Sequence, residues 1–188
     1  NDVHILLATR LEGLAALLGG EIDRSIEAFE RVGNLYDFRR HAGLRFRFAS
    51  DQAAVALAHK SWAEAIAGRI AASERSAKGA LEQVERLRHP HTSAHVSCVL
   101  AARAQTLGCR DTAAPLATAG LALARWHRFT YWEAWAQIIL AWHEAGRHAR
   151  AGAIHVDGAI EAYRSTGAGQ VLPYAQMLRA SIALAAGD

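Results

Sequence analysis

Glycine recurs at regular intervals in this chain, each time directly after an apolar stretch with helical periodicity. The glycines are Gly19, Gly68, Gly108, Gly146 and Gly187, and the intervals between them are 49, 40, 38 and 41 residues. A second helical stretch follows at once after four of these glycines. Helix–turn–helix units at a fixed period are typical of a solenoid, in which neighbouring units stack and bury a continuous core. The spacing therefore predicts a recognition surface built from helix pairs.

The composition is that of a folded, mostly helical chain. Of the 188 residues, 52% are hydrophobic, 21% are charged and three are proline. Alanine is abundant and is the strongest helix former, whereas runs of β-branched residues are scarce, so we expect no sheet. The net charge of +3 is too small for a typical nucleic-acid binder. No apolar run approaches the roughly 18 residues of a membrane span, so neither nucleic acid nor a membrane is an expected partner.

The two cysteines and the first residue suggest where the chain belongs. Cys98 and Cys109 are expected to lie about 16 Å apart along a helix, too far for a disulfide. Free thiols are typical of a reducing compartment, so we expect a cytoplasmic protein. The first residue is Asn1 rather than methionine, so we expect a piece of a larger multidomain protein.

Apolar periodicity predicts an all-α fold over a single domain, 1–188, with about four antiparallel helix pairs and a final single helix. The predicted helices cover residues 3–18, 21–35, 51–67, 71–88, 91–107, 112–126, 130–145, 148–165 and 172–186. Residues 36–50 break the rhythm and are expected to form a connecting segment. Asp51 and Asp111 are expected N-caps. Pro90 and Pro115 are expected in first turns, where a missing N–H costs little.

Several segments carry a resemblance to a known family. The fourth unit has aromatic, apolar and small residues before and after its turn glycine, as in Trp135, Ile138, Ile139, Trp142, Gly146, Ala151, Ile154 and Ala159. This pattern resembles a tetratricopeptide unit. Seven further segments resemble the tetratricopeptide-like region of bacterial class III adenylate/guanylate cyclases that carry an AAA-type ATPase core. They are LYDFRRH (35–41), LRHP (87–90), TSAH (92–95), FTYWEAW (129–135), IILAW (138–142), YRSTGA (163–168) and LPY (172–174).

The resemblance implies a right-handed solenoid that regulates an attached cyclase or ATPase without being catalytic itself. It implies a peptide, a protein or a neighbouring domain of the same chain as the partner, bound in the concave groove. The same array also occurs in ATPase-type transcription regulators, which gives the alternative of an effector-sensing domain. His59, Lys60 and Glu64 depart from the family pattern, because such repeats usually have apolar or aromatic residues there. An unpaired last helix leaves open a homodimer.

No catalytic, cofactor or metal site is expected. The chain lacks the G-x-x-x-x-G-K-[ST] loop that cradles phosphates, and no G-x-S-x-G surrounds any serine. His89, His91 and His95 form H-P-H-x-x-x-H, which keeps a zinc-dependent enzyme as a third hypothesis. A catalytic zinc would need a further ligand and an acid/base residue, and no H-E-x-x-H occurs.

Counting back from the turn glycines gives the residues expected to face the groove. The expected partner-binding residues are His95, Gln105, Glu133, His143, Tyr174 and Met177, and Val55 and Cys98 are expected to face the groove as well. Trp135 and Trp142 are expected in the core, and Trp132, at a helix start, is the tryptophan expected to contact a ligand. The basic run 39–47 alternates with phenylalanines at 46 and 48, and we interpret it as a half-buried edge rather than a nucleic-acid site.

Overall fold

A computed structural model describes residues 2–187, and every regular element in this range is helical. The all-α prediction is therefore confirmed for the described range. The helices are α1 Asp2–Leu18, α2 Ile22–Leu35, α3 Phe38–His41, α4 Gln52–Ile66, α5 Ile70–Leu87, α6 Pro90–Thr106, α7 Arg110–His127, α8 Thr130–Ala145, α9 Ala149–Ser165 and α10 Leu172–Ala186. A 3₁₀ turn, Ala42–Phe46, follows α3. Within the described range, no helix has the length and apolar character that a membrane crossing requires.

The sequence predicted the helix boundaries to within two residues, because the start and stop signals are local. Asp51 caps α4 as expected, since its carboxylate accepts the Ala54 N–H at 3.0 Å. Pro90 occupies the first turn of α6. The connecting segment holds α3 and the 3₁₀ turn. Its Phe46 ring is 74% exposed beneath the Arg45 guanidinium, so the half-buried edge that we expected there is wrong.

Two predictions about the start of α7 are wrong. The helix begins at Arg110, and its N-cap is Cys109, without a side-chain capping bond, rather than Asp111. Pro115 consequently lies inside the helix, one turn beyond its start, where it has no N–H to offer the Asp111 carbonyl. Both errors follow from a helix that begins two residues earlier than expected.

The turns after α1, α4 and α6 repeat one backbone motif. Gly20, Gly68 and Gly108 each adopt a positive φ of between 71° and 81°. The residue after each glycine donates its N–H to the carbonyl five residues earlier, which is the Schellman closure of a helix end. Gly146 does not share this role, because its φ is −66°. A Cβ at Gly146 would lie 2.7 Å from Arg110 Cζ, so this glycine provides space for the Arg110 guanidinium.

Consecutive helices pack as neighbours, in a manner consistent with a helical repeat. Helix α1 packs on α2, α4 on α5, α6 on α7 and α8 on α9, while α10 packs on α9 and α8. The first helices of these neighbours also contact one another in the order α1, α4, α6, α8 and α10. Alanines fill much of the core between them and permit close helix approach. The first helices therefore line one face of the molecule.

The three residues that depart from the family pattern are accommodated on α4. His59 Nδ1 donates to the Val55 carbonyl at 2.9 Å, and its ring stacks on Phe29 at 5.8 Å between centroids. Lys60 lies 2.9 Å from a Glu30 carboxylate oxygen and 3.6 Å from one of Glu64. These partners offset much of the cost of burying the polar groups, although Glu64 Oε2 has no hydrogen-bond partner among residues 2–187.

A pair of glycines on α9 tests the close packing of this helix against α8. A Cβ at Gly152 would lie 2.5 Å from Ala145 Cβ and 2.8 Å from the Ala141 carbonyl oxygen, whereas one at Gly158 would meet nothing within 4 Å. Gly152→Ala should therefore lower the free energy of unfolding by about 1–3 kcal/mol through overpacking. Gly158→Ala, the matched control, should raise it by up to about 1 kcal/mol, because alanine favours the helix. Urea titrations of both variants measure these changes, and equal effects would contradict the close approach.

Candidate functional site: the inner basin

The first helices border a partly open cavity of about 320 Å³, which we call the inner basin. Its walls come from α1, α4, α6 and α8, and from the turn that precedes α10. The residues that line the inner basin are Arg10, Leu11, Leu14, Leu18, His59, Trp62, His95, Tyr131, Trp132, Trp135, Gln170 and Val171. A smaller hollow of about 140 Å³ adjoins it, since Arg10, His95 and Trp132 line both.

Aromatic rings form most of the wall opposite α1. Trp132 stacks on His95 with 4.0 Å between ring centroids and on Trp135 with 5.4 Å. Tyr131 meets Trp132 edge-on at 4.5 Å, and Trp62 meets Trp135 edge-on at 6.3 Å. Trp132 and Trp135 share a face of α8 because residues three apart lie on the same side of a helix. The result is a set of flat apolar surfaces in fixed orientations.

A chain of hydrogen bonds fixes the imidazoles at the edge of this wall. Trp132 Nε1–H donates to His91 Nε2 at 3.2 Å. An indole N–H can only donate, so the neutral His91 carries its proton on Nδ1, which donates to Ser50 Oγ at 2.9 Å. Ser50 in turn donates its hydroxyl proton to His95 Nδ1 at 3.2 Å. His95 therefore carries its proton on Nε2, which has no partner among residues 2–187.

This chain holds the side chains in place rather than preparing a nucleophile. A serine nucleophile needs a histidine base whose other nitrogen is held by an acceptor. His91 is fixed as a donor to Ser50, which leaves His95 as the only possible base. Burial lowers the pKa of His95 well below its ordinary value, and the charges of His59, Arg10 and His91 lower it further. Such an imidazole is a weak base at neutral pH.

Arg10 is an unpaired cation on the α1 wall. Among residues 2–187, its guanidinium has no hydrogen-bond or ion-pair partner, and its Nε atom is buried. Glu12, an acidic residue two positions further along α1, is paired with Arg24 and Arg31 rather than with Arg10. Arginine stays protonated in proteins, so the inner basin holds an uncompensated positive charge.

The lining of the inner basin contains no aspartate or glutamate. Burial lowers the pKa of His59 to about 4, against which its bond to the Val55 carbonyl acts only partly, and the Arg10 charge lowers the pKa further. His59 and His95 are therefore neutral at pH 7, and Arg10 is the only formal charge on the lining. The site is apolar, aromatic and singly positive.

The structure brings one of the six predicted partner-binding residues, His95, into the inner basin. Gln105 accepts the Tyr174 hydroxyl at 2.8 Å, which ties α6 to α10 and uses the polar groups of both. Glu133 is paired with Arg125 at 3.0 Å, and Met177 is 53% exposed on α10.

His143 lies in the last turn of α8, where its Nδ1 is buried without a hydrogen-bond partner among residues 2–187. Of the other two residues expected to face the groove, Val55 lines the smaller hollow, and Cys98 is fully buried.

The aromatic predictions hold in part. Trp135 and Trp142 are buried, as expected of core residues, although Trp135 also lines the inner basin. Trp132 contacts the inner basin, and Trp126 on α7 is the one that is largely exposed, at 84%.

The histidine motif serves the fold at each of its positions. His89 caps α6 through Thr92, while His91 and His95 both contact Ser50. Within the described range, no three His, Cys, Asp or Glu side chains are grouped so that they could hold a metal ion. Both cysteines are free, as the sequence predicted. They do not share a helix, which corrects the prediction: Cys98 is buried within α6, whereas Cys109 is exposed beyond its end, at the N-cap of α7.

Comparison with known proteins adds no relative: no protein-family model, no curated protein and no solved structure matches the chain. The assignment of a site therefore depends on geometry alone.

Removing the Arg10 charge should stabilise the protein. Arg10→Met keeps an unbranched apolar chain of similar length but removes a partly buried cation that has no counter-ion. We expect the free energy of unfolding to rise by about 1 kcal/mol, because an unpaired charge in an apolar setting is destabilising. Arg75→Met on the exposed face of α5 is the control and should change it by less than about 0.5 kcal/mol. The midpoints of denaturant unfolding measure the stability of both variants. A lower stability of Arg10→Met would contradict the absence of a partner for Arg10 among residues 2–187.

Acid should destabilise the fold through the basin histidines. The pKa of His59 is about 4 when folded and 6.5 as an ordinary value, so between these pH values the unfolded chain binds more protons. Its stabilising contribution is complete above pH 6.5 and is lost as the pH falls through 4. Between pH 7 and 4.5 this loss amounts to about 2–3 kcal/mol.

The matched variants for this pH dependence are His59→Asn and His4→Asn. His59→Asn should remove its share, so that its free energy of unfolding falls less between pH 7 and 4.5 than that of the natural chain. His4 is exposed on α1, so His4→Asn should keep the full dependence. Urea unfolding at the two pH values measures the difference. If the pH dependence is unchanged in His59→Asn, folding does not lower the pKa of His59.

Proposed function

We propose that this chain is a non-catalytic recognition domain that binds a compact ligand in the inner basin and thereby regulates a larger protein. One observation carries the proposal: a partly open aromatic cavity contains a single cation that has no counter-ion among residues 2–187. A volume of about 320 Å³ lies at the lower end of the roughly 300–1,000 Å³ of ligand pockets. A few polar groups in an apolar setting are also what such pockets contain.

The effector-sensing alternative from the sequence is thus favoured over an extended peptide. A peptide would need an open groove along several helices, whereas α1 and the turn before α10 bound the inner basin on two sides. Five of the six residues predicted to anchor a peptide lie outside the lining. Peptide or protein binding in the groove, and a homodimer, stay predictions.

The finer architecture belongs to the same proposal. We interpret the neighbouring helices as four tetratricopeptide-like pairs with a final single helix, in a right-handed solenoid. The repeated glycine turns and the contacts among the first helices support this interpretation. A cyclase or an ATPase-type transcription regulator as the host is supported only by the resemblance of segments such as 87–95 and 129–142.

Ligand retention tests the proposed function. The protein is dialysed against the low-molecular-weight fraction of a bacterial extract, and the retained compounds are identified by mass spectrometry. Leu11→Trp fills the inner basin from α1 and should abolish retention. Leu184→Trp adds the same ring on α10, at a side chain that is 79% exposed and absent from the lining, and should keep it. Retention that is equal in both variants, or absent from the natural chain, would contradict a ligand site in the inner basin.

A further inference from the structure

The charge of the inner basin restricts what can bind there. Arg10 is the one formal charge on the lining, and no acidic side chain faces it from α4, α6, α8 or the turn before α10. The uncharged polar atoms on the lining whose bonding is open include a donor, the His95 Nε2–H, and two acceptors, His59 Nε2 and Gln170 Oε1. The charge is therefore the selective feature, and a ligand that carries one negative charge complements it.

The location of the guanidinium is also specific. It is close enough to His59 and His95 for its charge to lower the pKa of both imidazoles, after burial, which is the larger cause. Arg10 also lines the boundary between the inner basin and the smaller hollow. The positive charge thus lies beside the imidazole edge of the aromatic wall, within reach of a ligand that contacts both.

The size and shape of the remaining space select a flat apolar group. A dry cavity of about 150 Å³ accommodates a benzene ring, so about 320 Å³ accommodates one ring with a short charged arm. Trp62, Trp132 and Trp135 are each at most 6% exposed, so they present ring edges to the cavity. The apolar surface opposite them comes from Leu11, Leu14 and Leu18 of α1. A nucleotide, with several charges and a sugar, has too much polar surface for this lining.

We propose that the inner basin binds a free aromatic monocarboxylate, with the carboxylate on the Arg10 guanidinium and the ring among the basin tryptophans. A carboxylate matches the planar fork of arginine, which can donate two parallel hydrogen bonds to it. The ligand supplies the counter-ion that Arg10 lacks, and its ring fills the apolar space. This assignment depends on the proposed function, since it names the chemical class of the compact ligand.

Calorimetric titration of the whole chain with three probes tests the assignment. The probes are phenylacetate, its neutral analogue phenylacetamide, and acetate, which lacks the ring. Phenylacetate should bind at least about tenfold more tightly than either analogue, because each analogue loses one of the two contacts. The binding heat should disappear in Leu11→Trp, which fills the inner basin.

Substitutions of the arginine separate charge from packing. Arg10→Met should weaken phenylacetate binding by at least about tenfold without reducing stability. Arg10→Lys keeps the charge and should retain most of the affinity, although it loses the planar fork. Arg75→Met, on the exposed face of α5, should bind phenylacetate as the natural chain does.

The outcomes distinguish this inference from the proposed function. Equal affinity for phenylacetate and phenylacetamide, or full affinity in Arg10→Met, would overturn the carboxylate assignment and leave a compact ligand in place. An absence of phenylacetate binding would also overturn it. If extract compounds are nevertheless retained in a Leu11-dependent manner, the proposed function survives with a different ligand class. If Leu11→Trp retains the extract compounds as well as the natural chain does, the proposed function itself is overturned.

Discussion

The contact between Trp132 and His95 is the constraint on which the inner basin depends. The indole ring stacks on the imidazole at 4.0 Å between centroids, while its N–H fixes the tautomer of His91. Ser50, from the connecting segment, completes the chain of hydrogen bonds between the two histidines. One tryptophan at the start of α8 thereby orients α6 and the end of the connecting segment. Its ring also forms part of the wall of both hollows.

Small residues elsewhere make this arrangement possible. Alanines dominate the contacts between helices, and glycines occupy the closest approaches, such as Gly120 against Cys98 and Gly152 against Ala145. Close backbone packing on the outer side leaves the large rings of α4 and α8 directed to the inner side. Other hollows lie between first and second helices, such as one of about 440 Å³ lined by residues of α7, α8 and α9, but the inner basin is the one into which the aromatic rings of α4 and α8 project.

The sequence predicted the helices well, whereas only one of the six residues it assigned to a partner, His95, lines the inner basin, for physical reasons. Helix ends depend on local signals, such as the Asp51 cap and the Gly68 turn, and these are visible in a few residues. The lining of the inner basin depends on how four helices and a turn converge. Counting back from the turn glycines assumed a regular repeat and therefore selected Glu133 and His143 instead of Trp62 and Trp135.

Other parts of the site carried weaker signals. Ser50 lies in the connecting segment, where no repeat pattern assigns it a neighbour, and its contact with His91 spans 41 residues. Arg10 is an ordinary arginine in the sequence of α1, and only the absence of a partner in three dimensions distinguishes it. Two residues of the lining were singled out from the sequence: His95, by counting back from a turn glycine, and Trp132, because an aromatic residue at a helix start has less need to serve the core.

The unpaired Arg10 and the neutral histidines are unfavourable for the fold, and their location together is informative. Burial disfavours a lone guanidinium and the charged forms of His59 and His95, so a leucine or methionine would stabilise each of these positions more simply. Some buried polar side chains elsewhere are satisfied, as in Ser73, which donates to the Ser61 carbonyl at 2.7 Å and accepts from Arg103, whereas Glu64 Oε2 and His143 Nδ1 have no partner among residues 2–187. Local conflicts with stability concentrate where a protein binds something. In this chain a lone guanidinium and two neutral imidazoles line the same cavity, and a bound anion would supply the counter-ion that the guanidinium lacks.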